Sequence, residues 1–81
     1  MMDILFFGRL GDVSPSISNV LPDGVTDTDS LKTWLSQNND ALANELSKAG
    51  NRIAVNKTII NENTALSNTD EVAFMSPLSG G

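Results

Sequence analysis

The sequence ends in DEVAFMSPLSGG, residues 70–81, and the interpretation of the whole chain starts from this stretch. Glu71–Met75 has the composition of a strand, and Pro77 stops that strand because proline cannot donate to a ladder. The chain then closes on Gly80-Gly81, two residues without a Cβ, which can pass through a narrow channel. The stretch predicts a last strand followed by a thin arm, although a terminal glycine pair also arises by chance in roughly 0.5% of chains.

The N-terminal half of the chain predicts a hairpin. Residues 2–9 alternate with period two, as a strand does, and place two sets of side chains on opposite faces: Met2, Ile4 and Phe6 against Asp3, Leu5 and Phe7. Residues 17–21 predict a second strand. A short connection between the two strands is predicted by four turn-forming residues: Gly11, Asp12, Ser14 and Pro15. An antiparallel hairpin is therefore expected.

A helix is predicted after the hairpin. Asp27 or Thr28 can cap its start by accepting an orphan amide hydrogen bond. Its apolar stripe consists of Leu31, Trp34 and Leu35. We expect Trp34 to anchor the core rather than to bind a ligand. Residues 41–49 continue as a second, shorter helix, which Gly50 is expected to end.

The remaining segments complete the predicted fold class. Residues 52–57 alternate again, Ile59-Ile60 is a short apolar pair, and residues 61–70 are polar and loop-like. The resulting class is α+β, and its order of elements matches the ubiquitin-like β-grasp: a mixed sheet of about five strands with one main helix and a short second helix on one face. In that fold the first and last strands lie parallel at the centre. We assign residues 1–76 to the domain and residues 77–81 to a flexible tail.

The alternation of the first and last strands predicts an apolar face without a cover. Asp3 and Glu71 are expected to face solvent, and four residues of the same parity share their face: Leu5, Phe7, Ala73 and Met75. A large exposed apolar patch usually marks a surface for a partner. Phe7 and Met75 are expected near the end from which the tail leaves. The alternative is that the shorter helix or a loop covers these side chains.

Composition excludes several kinds of chemistry. The chain has no cysteine and no histidine, which removes disulfides, thiolate metal sites and the commonest general base. Ten acidic residues against five scattered basic ones give a net charge of -5, so nucleic-acid binding is not expected. The helix dipole explains an acidic group near the predicted helix start, Asp23, Asp27 and Asp29, without a metal. Without a bilayer-spanning segment or a signal peptide, a cytoplasmic protein is expected.

Three segments together carry a resemblance to a known family. They are MMDILFF at the start, Ala54-Val55-Asn56 in the middle, and Asp70-Glu71-Val72-Ala73-Phe74 followed by Pro77 and Gly80-Gly81. With these segments the chain resembles, over its whole length, the small, sulfur-carrying subunit of molybdopterin synthase. It departs from the pattern at Met75-Ser76, where family members often carry Phe-Pro.

The resemblance implies a mechanism. A ubiquitin-activating-type adenylyltransferase would use ATP to adenylate Gly81, which would then become a thiocarboxylate. The tail, with Gly80, would enter the large catalytic subunit, where sulfur passes to a cyclic pyranopterin precursor in molybdenum cofactor biosynthesis. This chain would bind no cofactor, and two carriers per large-subunit dimer would form a heterotetramer. The implied partner-binding residues are Phe7, Ile59, Met75, Pro77 and Leu78.

Three alternatives remain open at the level of sequence. The chain could be a related carrier for thiamine or tRNA thiolation. It could be a modifier whose Gly81 is joined to lysines of target proteins. It could also be an interaction domain with an inert tail.

Overall fold

The first and last strands lie side by side in the middle of one sheet. The structure, a computed structural model, describes residues 2–77. Its elements are β1 (Met2–Phe7), α1 (Arg9–Val13), β2 (Ile17–Asn19), α2 (Thr28–Asn38), α3 (Asp40–Leu46), β3 (Arg52–Val55), β4 (Thr58–Ile60) and β5 (Glu71–Met75). The strand order across the sheet is β2-β1-β5-β3-β4. This is the α+β, β-grasp arrangement that the sequence predicts.

The pair formed by β1 and β5 is parallel, with Asp3 opposite Glu71 and Phe7 opposite Met75. The other described pairs, β1 with β2, β3 with β5 and β3 with β4, are antiparallel. A tight turn cannot join parallel neighbours, so the chain between β1 and β5 must cross over. That crossover carries the helices and the remaining strands.

The core lies between the sheet and the helices. Its sheet side consists of Met2, Ile4, Phe6, Val72 and Phe74, all buried. The rings of Phe6 and Phe74 stack with their centroids 5.7 Å apart. The helices contribute Leu10, Leu31, Leu35, Leu42 and Leu46. Trp34 is partly buried and packs against this cluster, which confirms its expected place in the core.

The connection between β1 and β2 differs from the predicted turn. Residues 9–13 form α1, because Leu10 is fully buried in the core and holds a helical turn there. Gly11 suits this helix, since a Cβ at that position would lie 2.9 Å from the carbonyl oxygen of Phe6. Gly11, which the sequence predicts to lie in a turn, is instead needed for close packing of α1 against β1.

The shorter helix also ends earlier than the sequence predicts. Asn39 separates α2 from α3, and its side-chain oxygen accepts from the Leu42 N–H at 3.1 Å. The helix α3 ends at Leu46 rather than at residue 49, and Asn51 caps it by donating to the Glu45 carbonyl oxygen at 2.8 Å. None of the helices within residues 2–77 has the length and hydropathy needed to cross a bilayer.

The start of α2 is tied to the loop that follows β4. Asp27 caps the helix, since its Oδ1 accepts from the Ser30 N–H at 2.8 Å. Asn63, in the loop, donates its side-chain N–H to Asp27 Oδ2 at 3.0 Å. The Thr28 N–H donates to the Thr64 carbonyl oxygen at 2.9 Å. The polar loop is thus fastened to the helix through the cap.

These contacts give the Asp27 carboxylate a role in stability. Hydrogen bonds from the Ser30 side chain, the Ser30 backbone and the Asn63 side chain lower the pKa of Asp27 below its usual value. The folded chain therefore holds this proton less tightly than the unfolded chain. The resulting stabilisation is present above the unfolded-state pKa and is lost as the pH falls through the lower folded-state pKa.

We predict that Asp27→Ala lowers the urea midpoint at neutral pH, and that this deficit shrinks as the pH falls below about 4, where the wild type loses the same charged contacts. Asp27→Asn keeps an acceptor for the Ser30 N–H and should lie in between. Asp23→Ala, which removes an exposed carboxylate, is the control. A deficit of constant size across this pH range would show that the charge of Asp27 contributes nothing.

Candidate functional site

The sheet face opposite the helices is apolar at its centre. Strand registers place four residues in one row across it, namely Leu5, Ala73, Ala54 and Ile59. The neighbouring row, nearer the tail, contains Phe7, Met75 and Arg52. Phe7 is 51% exposed and Ile59 is 57% exposed. We call five of these residues the outer patch: Leu5, Phe7, Ile59, Ala73 and Met75.

The structure brings together three of the residues that the sequence assigns to partner binding. Phe7 and Met75 lie opposite each other, and Ile59 joins them on the same face from the edge strand β4. Within the patch, Phe7 and Ile59 are exposed, Leu5 and Met75 are half-buried, and Ala73 at its centre is buried. The buried apolar residues of the three helices belong to the core on the other face. Pro77 follows β5 closely, whereas Leu78, Gly80 and Gly81 lie outside the described residues.

The exit of the tail is held by contacts with α1. The side-chain oxygen of Ser76 accepts from the Arg9 N–H, the first amide of α1, at 2.8 Å. The Ser76 N–H and hydroxyl each lie 3.4 Å from the Phe7 carbonyl oxygen as donors. Gly8, which lies between Phe7 and Arg9, has φ +68, and a Cβ on Gly8 would collide with the Ser76 hydroxyl. Ser76 thus caps a helix that begins at the opposite end of the sequence.

A second contact lies on the other side of the exit. Gly50 has φ +90, and a Cβ at that position would lie 3.2 Å from Cγ of Pro77. Two grooves flank Pro77: one of about 600 Å³ is bordered by Phe7 and Asp12, and one of about 250 Å³ by Glu45 and Lys48. The last described residues of the tail therefore run between α1 and the segment that follows α3.

Charged residues lie at both ends of the central strands. Asp70 and Glu71 lie at one end, where hydrogen bonds from the Asn56 side chain and the Ser67 amide lower the pKa of Asp70. The tail exit lies at the other end. Three of the five basic residues lie near it, since Arg9 and Lys48 line the smaller groove and Arg52 pairs with Met75. Lys48 forms an ion pair with Glu45 at 2.6 Å, and Asp12 lines the larger groove. Basic residues that are scattered in sequence are therefore grouped in space.

The described residues around the tail exit combine apolar and charged side chains. Among residues 2–77, no group of three or more His, Cys, Asp or Glu side chains is placed to hold a metal ion. The Asp27 carboxylate of the acidic group is engaged by the α2 cap. What the exit offers is an ordered point of departure, an apolar patch beside it and basic side chains around it.

Sequence reasoning missed the residues that shape the exit, namely Gly8, Arg9, Gly50 and Ser76. Gly50 was interpreted as a helix stop, and Ser76 only as a departure from a family pattern. The one available signal for Gly8 is a glycine inside the strand predicted over residues 2–9, because such a glycine often marks the close approach of another segment. The contact partner of each residue lies far away in sequence, so local patterns carry no trace of it.

The comparison with known proteins agrees with this arrangement. A family model described as the ThiS family matches residues 4–81. The chain belongs to the ThiS family. This ThiS-family chain is 30% identical, over 81 residues and the full length of both proteins, to the molybdopterin synthase sulfur carrier subunit of Haemophilus influenzae. It is a sulfur carrier of the β-grasp type, which confirms the resemblance seen in the sequence at the level of the family.

Solved structures place the fold in the same group. The chain is similar to SAMP1 from Haloferax volcanii, with a TM-score of 0.82, 23% identity and coverage of 99% of this chain and 98% of that one. It is also similar to a complex of subunits 1 and 2 of molybdopterin-converting factor from Helicobacter pylori, with a TM-score of 0.64, 23% identity and coverage of 99% and 97%. At these identities the similarity establishes the fold.

Adjacent phenylalanines offer a test of which face is buried. Phe6→Ala should cost about 3–5 kcal/mol of unfolding free energy, because Phe6 stacks on Phe74 in the core. Phe7→Ala should cost less than about 1 kcal/mol, because half of that ring is already in water. Urea unfolding of both variants measures the difference. Similar losses for the two would contradict the assignment of Phe7 to the outer patch.

Proposed function

We propose that this chain is the sulfur-carrier small subunit of molybdopterin synthase. The observation that carries the proposal is the 30% identity to the Haemophilus influenzae subunit across the whole of both chains. The placement of the outer patch beside the tail exit supports it, because a carrier must dock its body while its end enters a partner. Residues 77–81 are the arm in this proposal, and residues 1–76 are the body that positions it.

The reacting group in this proposal is the carboxylate of Gly81. A ubiquitin-activating-type adenylyltransferase joins one carboxylate oxygen to the α-phosphorus of ATP and releases pyrophosphate. A donor at the level of hydrosulfide attacks the acyl carbon, AMP leaves, and Gly81 carries a thiocarboxylate. ATP is bound by that partner enzyme, and this chain binds no cofactor of its own.

Sulfur transfer follows in the large subunit. The thiocarboxylate sulfur attacks a carbon of the cyclic pyranopterin precursor and displaces an oxygen. Water then cleaves the resulting thioester, so that sulfur stays on the pterin side chain and the carboxylate of Gly81 is regenerated. Two transfers give the dithiolene of molybdopterin. Gly80 and Gly81 act as a substrate arm inside other proteins, and the catalytic groups belong to those proteins.

Docking in this proposal uses the outer patch. Phe7 and Ile59 supply exposed apolar area, and Met75 supplies a flexible thioether that adapts to a partner's surface. Pro77 and Leu78 guide the tail towards the partner's groove. The similar Helicobacter pylori structure is a complex of two subunits, which supports an assembly of this kind. Two carriers on a large-subunit dimer form the proposed heterotetramer.

A second candidate function is favoured by the structural neighbours. Two small archaeal modifier proteins, from Haloferax volcanii and Methanosarcina acetivorans, have TM-scores of 0.82 and 0.73 with this chain. In this alternative the acyl carbon of Gly81 is joined to lysine side chains of other proteins. Both functions begin with the same adenylate and diverge at the nucleophile that attacks it, which is sulfur in one case and an amine in the other.

The mass of the chain distinguishes these outcomes. We predict that incubation with the adenylyltransferase of the same organism, ATP and sulfide raises the intact mass by about 16 Da, as one oxygen is replaced by sulfur. Adding the large subunit and pyranopterin precursor should return the mass to its starting value. Deletion of Gly81 should abolish the gain and leave the unfolding midpoint unchanged. Conjugates on lysines without any thiocarboxylate would favour the modifier function.

Binding to the large subunit tests the docking residues. Phe7→Ala and Ile59→Ala should each weaken binding about tenfold, because each removes an exposed apolar anchor from the interface. Val20→Ala is the matched control, since Val20 is 58% exposed but follows β2 at the end of the sheet away from the tail. Titration calorimetry measures all three. Equal affinities for the Phe7 variant and the control would contradict the proposal that the outer patch contacts the large subunit.

A further inference from the structure

The tail exit carries a feature that the proposed chemistry does not yet use. The helix α1 begins at Arg9, and its N-cap residue, Gly8, has no side chain to cap it. The missing acceptor comes from Ser76, which follows the last strand and lies 67 positions away in sequence. Since Ser76 precedes the tail directly, the cap also attaches the base of the tail to the body.

We infer that Ser76 is a positioning residue for the terminal carboxylate: its hydroxyl, fastened to the Arg9 N–H, sets the direction in which the tail leaves the domain. This inference rests on the proposed function of Gly81. A single attachment would leave the chain free to pivot. The second attachment, where Pro77 lies close to the Cβ-less face of Gly50, removes that freedom.

The size of the effect follows from the length of the arm. Pro77 to Gly81 comprises five residues, which span at most about 17 Å when extended. A change of direction at the base shifts the whole region that the end of the arm can reach, and a misplacement of about 1 Å can cost about a hundredfold in the rate of an enzymatic step. The direction at Ser76 should thus affect how often a docked carrier presents its end productively.

Both contacts depend on features that are particular to these positions. Gly8 has φ +68 and must lack a Cβ for the Ser76 hydroxyl to reach the Arg9 amide. The outer patch lies on β1, β4 and β5 and does not include the Ser76 hydroxyl. Binding through the outer patch and the direction of the tail therefore depend on different residues. A change at Ser76 should alter the direction of the tail and leave binding unchanged.

The test separates the rate within the complex from binding. With the adenylyltransferase and ATP, Ser76→Ala should lower kcat for adenylation of Gly81 about three- to tenfold while KM for the carrier stays within about twofold of the wild type. Ser76→Thr keeps the hydroxyl and should restore kcat. Ser16→Ala, which removes an exposed hydroxyl ahead of β2, is the control. Hydrogen exchange at the Arg9 amide should accelerate in Ser76→Ala and remain slow in Ser76→Thr.

A second pair of variants tests the other attachment. Gly50→Ala places a methyl group against Pro77, whereas Gly24→Ala carries a comparable backbone strain, at φ +86, with no atom within 4 Å of the added Cβ. Only Gly50→Ala should lower kcat. If kcat is unchanged in Ser76→Ala while the wild type reacts, the inference is wrong and the proposed function stands, whatever Gly50→Ala does. A wild type that forms no adenylate would overturn both.

Discussion

The parallel pairing of β1 with β5 is the constraint on which the rest of this structure depends. It places Phe6 against Phe74 inside the core and Phe7 opposite Met75 on the outer face. Because the two strands run in the same direction, the segment after β1 and the tail after β5 leave the sheet at the same end of the strands. The cap from Ser76 to α1 and the position of the outer patch beside the tail are consequences of this one pairing.

The division of labour in a carrier of this type follows from its composition. A chain without histidine or cysteine lacks the commonest groups for activating a nucleophile. In the proposed function, the carboxylate of Gly81 therefore depends on another enzyme for its adenylation. What the fold can supply is position. The core holds the central strands in place, and Gly8 and Gly50 allow the base of the tail to lie close against the body. In the proposed function, the outer patch is the surface for docking.

The alternation of side chains made much of this molecule predictable. A strand has a period of two, so one charged residue, Asp3, was enough to assign the face of Leu5 and Phe7, and Glu71 did the same for Met75. The Asp27 cap was predictable because capping is a local contact within one helical turn. The helix α1 was not predictable in this way, since it forms where Leu10 meets the core and not where local residues favour a helix.

The amino-acid sequence alone predicts the fold class, the inward and outward faces of the central strands, and the family resemblance carried by Gly80-Gly81. These rest on composition and short-range periodicity, which every segment carries independently of the others. Three features are visible only in the folded chain: Ser76 caps α1, Pro77 lies close to Gly50, and Arg9 and Lys48 line the groove beside the exit. Each of these joins residues far apart along the chain, and only the packed fold determines which distant residues meet.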